Sequence, residues 1–235
     1  MTVRPHLAIY AAVTLLALLP TAGCIGGNFG AHVTQDVHTR VSQAPQTLEL
    51  HDPVGAVTLD AWKNAYVQID ARKRAPSRDD LQAMTISVKP DGGKLVVTGD
   101  LGGSNTTGHS IDFTIHAPAS TNLDVQTNVG GLSATGFSGN VDADVNVGGV
   151  KVTMAALRGS QHVNVTTSVG GINLDLPAGV DATFDADTTI GGISSSVPLS
   201  IVRKTVGATA GGRAGSGSAH VTLKVSTGGI RIGSE

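Results

Sequence analysis

The sequence has little cysteine, few aromatic residues and little charge. Among 235 residues there is one cysteine, aromatic residues make up 3% and charged residues 14%, and the formal net charge is −2. A single thiol excludes a disulfide framework and every multi-cysteine metal site. A net charge near zero removes the electrostatic basis for nucleic-acid binding. Glycine, in contrast, is abundant with 31 residues, and because it follows no Gly-X-Y period the chain is not collagen-like. This composition is typical of an all-β repeat protein.

The N-terminal segment resembles a bacterial lipoprotein signal. An uncharged, largely apolar run from Leu7 to Leu19 follows Arg4, and three small residues precede Cys24. The run is shorter than the roughly 20 residues that span a bilayer, but it fits the hydrophobic part of an export signal. The resemblance implies lipidation of Cys24 and retention on a membrane. An ordinary cleaved signal with an incidental cysteine is the alternative.

Three regions are predicted from this reading. Residues 1–23 form the signal peptide, residues 24–45 form a flexible tether rich in glycine and small polar residues, and residues 46–235 form the folded domain. Ile25 follows the cysteine where a retention signal usually has aspartate. This implies sorting to the outer membrane in a bacterium that has two membranes.

A Gly-Gly pair recurs along the folded domain at intervals of 18, 22, 21 and 37 residues. A self-similar period of about 20 residues is the signature of a solenoid in which each repeat is one turn. Gly55 stands in an equivalent sequence context and adds a sixth copy. The predicted corner glycines are Gly55, Gly130, Gly131, Gly148, Gly149, Gly170, Gly171, Gly191, Gly192, Gly228 and Gly229.

Apolar and polar residues alternate before each glycine pair. Apolar residues recur seven, five and one positions before the first glycine and again two positions after it. Alternation of this kind predicts a strand with one buried face. At the glycines the alternation of inward and outward positions shifts by one residue. One of the ladders expected inside the solenoid lies one position before the pair and consists of Val129, Val147, Val169, Ile190 and Thr227.

The predicted fold is therefore all-β, a single-chain parallel β-solenoid with about 20 residues per turn and Gly-Gly corners. A β-sandwich with glycine-rich hairpin turns is the alternative. Residues 77–84 are predicted to form a helix with Ser77 as its N-cap. The glycine-rich segment 207–218 is predicted to be a flexible loop, and the N-terminal strands and the tail 231–235 are predicted to cap the two ends of the solenoid.

The residues from Leu48 to Trp62, with 67–73 after them, resemble the opening of a bacterial "putative adhesin" domain of unknown function. The recurring Val/Ile-Gly-Gly-Ile/Leu units resemble the later coils of that domain, and the resemblance extends to Ile232. It implies a β-solenoid located at the cell envelope. The family has no catalytic residues to transfer to this chain.

Five aspartates form the one candidate ligand site. In stacked turns Asp124 lies opposite Asp142 with Asp144 on the same face, and Asp185 and Asp187 repeat that spacing. Stacked carboxylates repel one another, and Ca²⁺ could relieve the repulsion. The alternative is a solvated polar face without any cofactor, and the scattered histidines show no zinc-ligand spacing.

Two function classes remain open. The favoured one is a non-enzymatic, lipid-anchored envelope protein whose polar solenoid face binds a glycan, a cell-wall component or another protein. The other is a carbohydrate-active enzyme that would use Asp142 with Asp185 or Asp187 as paired carboxylates. The basic run Arg72-Lys73-Arg74 could contact anionic lipid or polysaccharide, or could be an exposed loop.

Overall fold

The computed structural model describes residues 13–17, 32–103 and 105–234. This part of the chain contains one short helix, α1 (Arg78–Ala83), and twenty strands. The strands are β1 (Val13–Ala17), β2 (Val33–Val41), β3 (Thr47–Val54), β4 (Val57–Trp62), β5 (Val67–Ala75), β6 (Thr85–Asp91), β7 (Lys94–Asp100), β8 (Ser110–Pro118), β9 (Asn122–Val129), β10 (Leu132–Phe137), β11 (Val141–Val147), β12 (Val150–Met154), β13 (His162–Val169), β14 (Ile172–Leu176), β15 (Ala182–Ile190), β16 (Ile193–Ser195), β17 (Ser200–Arg203), β18 (Ala208–Ala214), β19 (Ala219–Thr227) and β20 (Ile230–Ser234).

The strands form two open sheets of ten strands each, which confirms the predicted all-β, solenoid-like fold. Sheet A has the order β1-β2-β5-β8-β4-β10-β12-β14-β20-β16, and sheet B has the order β17-β18-β15-β19-β13-β11-β9-β3-β7-β6. One coil consists of a strand of sheet B, a corner and the following strand of sheet A. Neighbouring coils pair in parallel and in register, so that Val141 lies between Leu123 and Val163.

The coils do not stack entirely in chain order. From β9 to β14 each coil lies on the one before it, but the last coil, β19 and β20, is inserted between β13–β14 and β15–β16. The coil of β3 and β4 is likewise inserted between β7–β8 and β9–β10. The long interval of 37 residues before Gly228 therefore contains a hairpin, β17–β18, and the return of the chain into the stack.

Three sequence predictions about the ends of the domain are wrong. Residues 208–214 of the predicted flexible loop form β18, which pairs with β15 because alternate residues, Ala208 and Ala210, can be buried. Most of the tail, residues 231–234, lies in β20 inside the stack, and the hairpin β17–β18 covers the end instead. The predicted tether is too long, because residues 33–41 form β2 and pair with β5.

The predicted lipoprotein signal lies largely outside the described residues. Cys24 lies outside them, and so does most of the predicted signal peptide. Its residues 13–17 form β1, which pairs antiparallel with β2.

The interior ladders follow the predicted alternation except next to the corner. The positions seven and five before the first glycine and two after it are buried, as predicted. The position one before it is not, because Val129, Val147 and Val169 are 41%, 40% and 50% exposed. These residues do form one column, since Val147 pairs with both Val129 and Val169, but the column points outward.

The alternation of buried and outward positions is interrupted before the glycines rather than at them. The position three before the first glycine is buried in every coil, and the two residues that follow it both face outward. The extra outward residue acts as a bulge in the strand. The buried column consists of Asp52, Thr127, Val145, Thr167, Val225 and Thr188.

The outward column is continuous along the molecule, and we call it the corner ridge. Each of its members except Val54, which is partly buried against the core, accepts a hydrogen bond, at 2.8–2.9 Å, from the corner glycine of a neighbouring coil. Val206 of the β17–β18 turn continues it, because its carbonyl oxygen accepts from the Gly191 amide in the same way. In spatial order the corner ridge is Val54, Val129, Val147, Val169, Thr227, Ile190 and Val206.

Only the first glycine of each pair is required by the geometry. Gly148 has φ 156°, a conformation open essentially to glycine alone. A Cβ on Gly148 would also lie 1.7 Å from the carbonyl oxygen of Gly130. A Cβ on the second glycine, Gly149, would meet nothing closer than 4.0 Å. The coil of Gly55 has Ala56 at that second position.

Helix α1 forms where it is predicted. Ser77 is its N-cap, and its hydroxyl accepts a hydrogen bond from the Asp80 amide at 3.1 Å. Lys73 lies at the other end of the helix, where its Nζ donates to the carbonyl oxygens of Leu81 and Met84 at 3.2 and 3.1 Å. These bonds satisfy carbonyl groups that the last turn leaves unpaired.

Candidate functional site

The outer surface of sheet B is lined by polar residues, and we call the outward residues of β9, β11, β13, β19 and β15 the polar face. They lie six, four and two positions before the first corner glycine. Because the strands pair in register, equivalent residues recur at about 4.8 Å from coil to coil. Asn146, for example, donates from Nδ2 to Oδ1 of Asn128 at 3.0 Å. The face therefore presents repeated rows of amide, hydroxyl and carboxylate groups.

Asp124 and Asp142 are direct neighbours on this face, as predicted from the stacking of the turns. Asp142 already has two partners, because its Oδ2 lies 2.9 Å from Nε2 of His162 and its Oδ1 accepts from Nδ2 of Asn164 at 2.8 Å. Asp144 lies on the same face, beside Gln126 and Thr166. These residues supply two polar contacts to Asp142 and uncharged neighbours to Asp144.

Asp185 and Asp187 lie elsewhere on the polar face. They belong to β15, which is separated from Asp142 on β11 by β19 and β13. Three strand steps correspond to about 14 Å, whereas paired glycosidase carboxylates lie roughly 5–9.5 Å apart. Asp187 faces Lys204, with 3.7 Å between Oδ2 and Nζ. The structure does not bring the five predicted aspartates together.

Asp52 is a buried carboxyl that the sequence analysis missed. Its side chain is 2% exposed and neither of its oxygens has a hydrogen-bond partner. Burial, and then the charge of Asp112, raise its pKa to about 7, and the nearby Val54 amide offsets only part of the rise. Thr127, its neighbour in register on β9, also has a buried hydroxyl without a partner. Reading the column three positions before each glycine would have identified Asp52 as the one acid there.

A depression of about 390 Å³ opens on the polar face beside Asp52. Its outward lining includes His51, Gln126, Asn128 and Asn146. It is wide and shallow, like the smaller depression of about 180 Å³ next to it over the Asp124 and Asp142 rows. A surface of this form suits an extended ligand better than a small enclosed one.

The aromatic residues of the described chain do not form an open stacking platform. Phe113, Phe137 and Phe184 are buried in the core. Trp62 packs edge-on against Tyr66, with 4.5 Å between ring centroids, and His116 stacks on it at 5.3 Å. The Arg40 guanidinium covers the Tyr66 ring at 3.7 Å. One face of the Trp62 ring is therefore stacked by His116, and one face of the Tyr66 ring is covered by Arg40.

The basic run on β5 is engaged within the fold rather than forming an exposed loop. Arg72 donates from Nε to Oδ1 of Asp36 at 2.7 Å, and Nη2 of Arg74 lies 3.7 Å from Oδ2 of Asp112. Lys73 is buried, and burial lowers its pKa. Since the two exposed arginines have acidic partners, this run has little net field.

Among residues 13–17, 32–103 and 105–234, no helix is both long and apolar enough to cross a membrane. Within the same residues, histidine, cysteine, aspartate and glutamate side chains form no group of three or more suited to a metal ion.

Two open sheets, in-register coils and a line of corner glycines define a protein of the β-solenoid class. The chain belongs to the Toastrack DUF4097 family, whose model matches residues 44–233. The predicted resemblance to an adhesin-like domain of unknown function is thereby confirmed.

Solved structures with a similar fold include a "putative cell adhesion protein" from Clostridium sporogenes. The two share 15% sequence identity with a TM-score of 0.64, over 86% of this chain and 100% of that one. A "putative adhesin" from Bacteroides fragilis also matches, at 15% identity and a TM-score of 0.35, over 86% and 97% of the two chains. A search of curated protein sequences found no match.

Proposed function

We propose that this chain is a non-enzymatic protein of the cell envelope, anchored by lipid at Cys24, that binds an extended envelope polymer through the polar face. A glycan or cell-wall component is the favoured ligand, and another protein is the second candidate. In a host with two membranes the anchor places the chain in the outer membrane. The proposal includes no cofactor and no nucleic-acid partner.

One observation carries the binding proposal. The polar face repeats the same kinds of hydrogen-bonding group on neighbouring strands, and Asn128 and Asn146 illustrate the repeat. A linear polymer with recurring hydroxyl or amide groups can make the same contact at successive strands. Such a face gives many weak contacts and transfers no protons. The adhesion-related names of the structural neighbours agree with a binding role at a surface.

Capture from native envelope tests this proposal. The anchored full-length chain is used as bait, beside Thr166→Arg on the polar face and Thr135→Arg on the outer surface of sheet A. Both threonines are exposed and lie within strands. We expect Thr166→Arg to lose the captured polymer and Thr135→Arg to retain it. Equal capture by all three chains contradicts a role for the polar face.

Anchoring is tested separately by fractionation. Cys24 is the only cysteine, so Cys24→Ser removes the only thiol available for lipidation. We expect the wild-type chain in the membrane fraction and the variant outside it. An unchanged distribution with no lipid attached to Cys24 contradicts the anchor.

Two remaining hypotheses have direct assays. For calcium, thermal unfolding is measured with and without millimolar Ca²⁺, and an unchanged midpoint ends that hypothesis. For the enzyme alternative, reducing-end release from envelope polysaccharides is measured with Asp142→Asn as the control. The wide separation of Asp142 from β15 favours the binding proposal.

A further inference from the structure

The corner ridge collects the exposed apolar side chains of the domain. Six large hydrophobic residues are exposed in the described part of the chain, and five of them, all except Val202, belong to this ridge. Val202 lies close by, in the hairpin that supplies Val206. Seven ridge positions at strand spacing extend over about 29 Å. Aliphatic side chains scattered at random over the surface would not form one line.

The ridge stands out because its neighbours are small. On one side lie the second corner glycines, which have no side chain, and on the other lie residues such as Asn128, Ser168 and Ser226. Val129, Val147 and Val169 are accordingly 40–50% exposed along this edge. A ridge one residue wide cannot bury the roughly 800 Å² per partner of a standard protein interface. A second copy of the chain is thus a poor occupant.

Basic residues follow two of the corner glycine pairs. From two residues before each first corner glycine to three residues after it, the only charged residues are Lys151 and Arg231. The hairpin at the far end adds Arg203 and Lys204 between its two exposed valines, and Lys204 is paired with Asp187. Acidic groups are also present: the Asp112 carboxylate accepts from the Ala56 amide at 3.0 Å at one end of the ridge, and Asp52 is buried three positions before Gly55. Asp144 and Asp187 lie four positions before their corner glycines. An apolar line with flanking cations is complementary to the interface of an anionic bilayer.

The chain enters the domain at this same edge. Strand β2 begins at Val33, which pairs with Ala75, and two residues earlier on β5 Lys73 pairs with Ile111. The Ile111 carbonyl oxygen lies beside the corner glycine Gly55. Val33 stands nine positions after Cys24, a reach of at most about 32 Å. A lipid at Cys24 would therefore hold the edge that carries the ridge close to the bilayer.

We propose that the corner ridge rests in the interfacial region of the membrane that holds the lipid anchor, and so orients the polar face away from the lipid. This inference rests on the anchoring at Cys24 proposed above. The anchor makes the second contact intramolecular, so that a weakly binding ridge is sufficient. Embedding of about 5–10 Å is typical of apolar surfaces that lie in this region.

Depth-dependent quenching tests the proposal. The lipidated full-length chain is reconstituted into vesicles of phosphatidylethanolamine and phosphatidylglycerol that contain nitroxide-labelled lipid. A fluorophore is attached at Val147→Cys on the ridge or at Ala178→Cys at the opposite corner, where the side chain is also exposed. Cys24 does not react, because its thiol carries the lipid. We expect quenching at position 147 to exceed that at position 178 by at least about twofold, given the expected depth.

A ridge variant supplies the matched control. Thr227 already occupies the ridge, so Val129→Thr with Val169→Thr keeps the β-branched shape while removing apolar surface. In this background we expect quenching at position 147 to fall towards that at position 178, with circular dichroism and thermal midpoint unchanged. Unchanged quenching in the variant overturns the role of the ridge.

The outcomes separate the two proposals. A chain that carries lipid and floats with the vesicles, but is quenched equally at positions 147 and 178, overturns the ridge proposal and leaves the anchor intact. A chain without lipid at Cys24 contradicts the anchor and removes the ridge proposal with it. If the side chain at position 147 is shielded in native envelope but shows no excess quenching in lipid vesicles, the ridge contacts a protein. That result overturns the membrane contact.

Discussion

Gly148 and Gly130 are in contact through their backbones at the corner of two adjacent coils. A Cβ on Gly148 would lie 1.7 Å from the Gly130 carbonyl oxygen, and the same relationship joins Gly170 to Gly148 at 1.8 Å. The Gly148 amide donates to the Val169 carbonyl oxygen at 2.8 Å. The corner thus continues the hydrogen-bonded ladder without a break, and this requires a residue without a side chain.

The two glycines of one pair should respond differently to substitution by alanine. Gly148→Ala places a methyl group against a backbone oxygen and forces φ away from 156°, so we expect a loss of about 2–5 kcal/mol in the free energy of unfolding. Gly149→Ala should change it by less than about 0.5 kcal/mol. Urea unfolding of both variants measures the difference. Equal losses would contradict the role of backbone contact.

Asp52 should make stability depend on pH. Its pKa is raised to about 7 in the fold and is near 3.9 in an unfolded chain. The folded state therefore binds the extra proton, and stability falls as pH rises from about 4 to about 7. Three pKa units correspond to at most about 4 kcal/mol. Asp52→Thr introduces the residue found at Thr127 and Thr167 in the same column, so we expect a more stable protein at pH 8.

The pH series of urea midpoints has an internal control. Asp144→Asn removes an outward carboxyl on the polar face and should leave the slope between pH 4 and pH 7 unchanged. Asp52→Thr should flatten that slope. A wild-type slope that persists in Asp52→Thr would show that another group titrates.

Asp181 should have the opposite dependence on pH. The Ser216 hydroxyl donates to its Oδ2 at 2.6 Å, the Gly217 and Ser218 backbone amides also donate to it, and these bonds lower its pKa to about 2. Its contribution is present above about pH 4 and is lost as pH falls through about 2. Asp181→Asn should lower the thermal midpoint at pH 7 and match the wild type near pH 2. Asp185→Asn, on the adjoining strand, is the control. An equal effect of both substitutions would exclude these hydrogen bonds as the cause of the pH dependence.

The inserted last coil should be essential to the C-terminal half of the domain. Leu223 is fully buried between β13 and β15, so Leu223→Ala should cost about 2–5 kcal/mol. Val202→Ala, at a side chain that is 59% exposed, should cost less than about 0.5 kcal/mol. Hydrogen exchange should show that Leu223→Ala weakens β13 and β15 together. Loss confined to β19 would contradict the insertion.

The sequence predicts the coils and their corners because each coil repeats the same local physics. Val163 and Ile172 are buried, and so are the residues at the equivalent positions of the other coils. Glycine is found where the backbones of neighbouring coils are in contact. The order of the coils could not be predicted, since equivalent strands with equivalent residues can pair with any neighbour. The outward direction of Val147 was missed because a bulge of one residue reverses parity without changing composition. Asp52 was missed because the column three positions before each first corner glycine was not predicted to be buried.

The inserted coils also determine when the domain can be completed. The strands β13 and β15 do not pair with each other, because β19 lies between them. Both β19 and β20 are synthesised after β13 and β15. Contacts between residues distant in sequence form slowly, so β13 and β15 remain without this neighbour until β19 has been synthesised. A chain released early would expose two unpaired strand edges, which makes incomplete synthesis a route to aggregation rather than to a shorter solenoid.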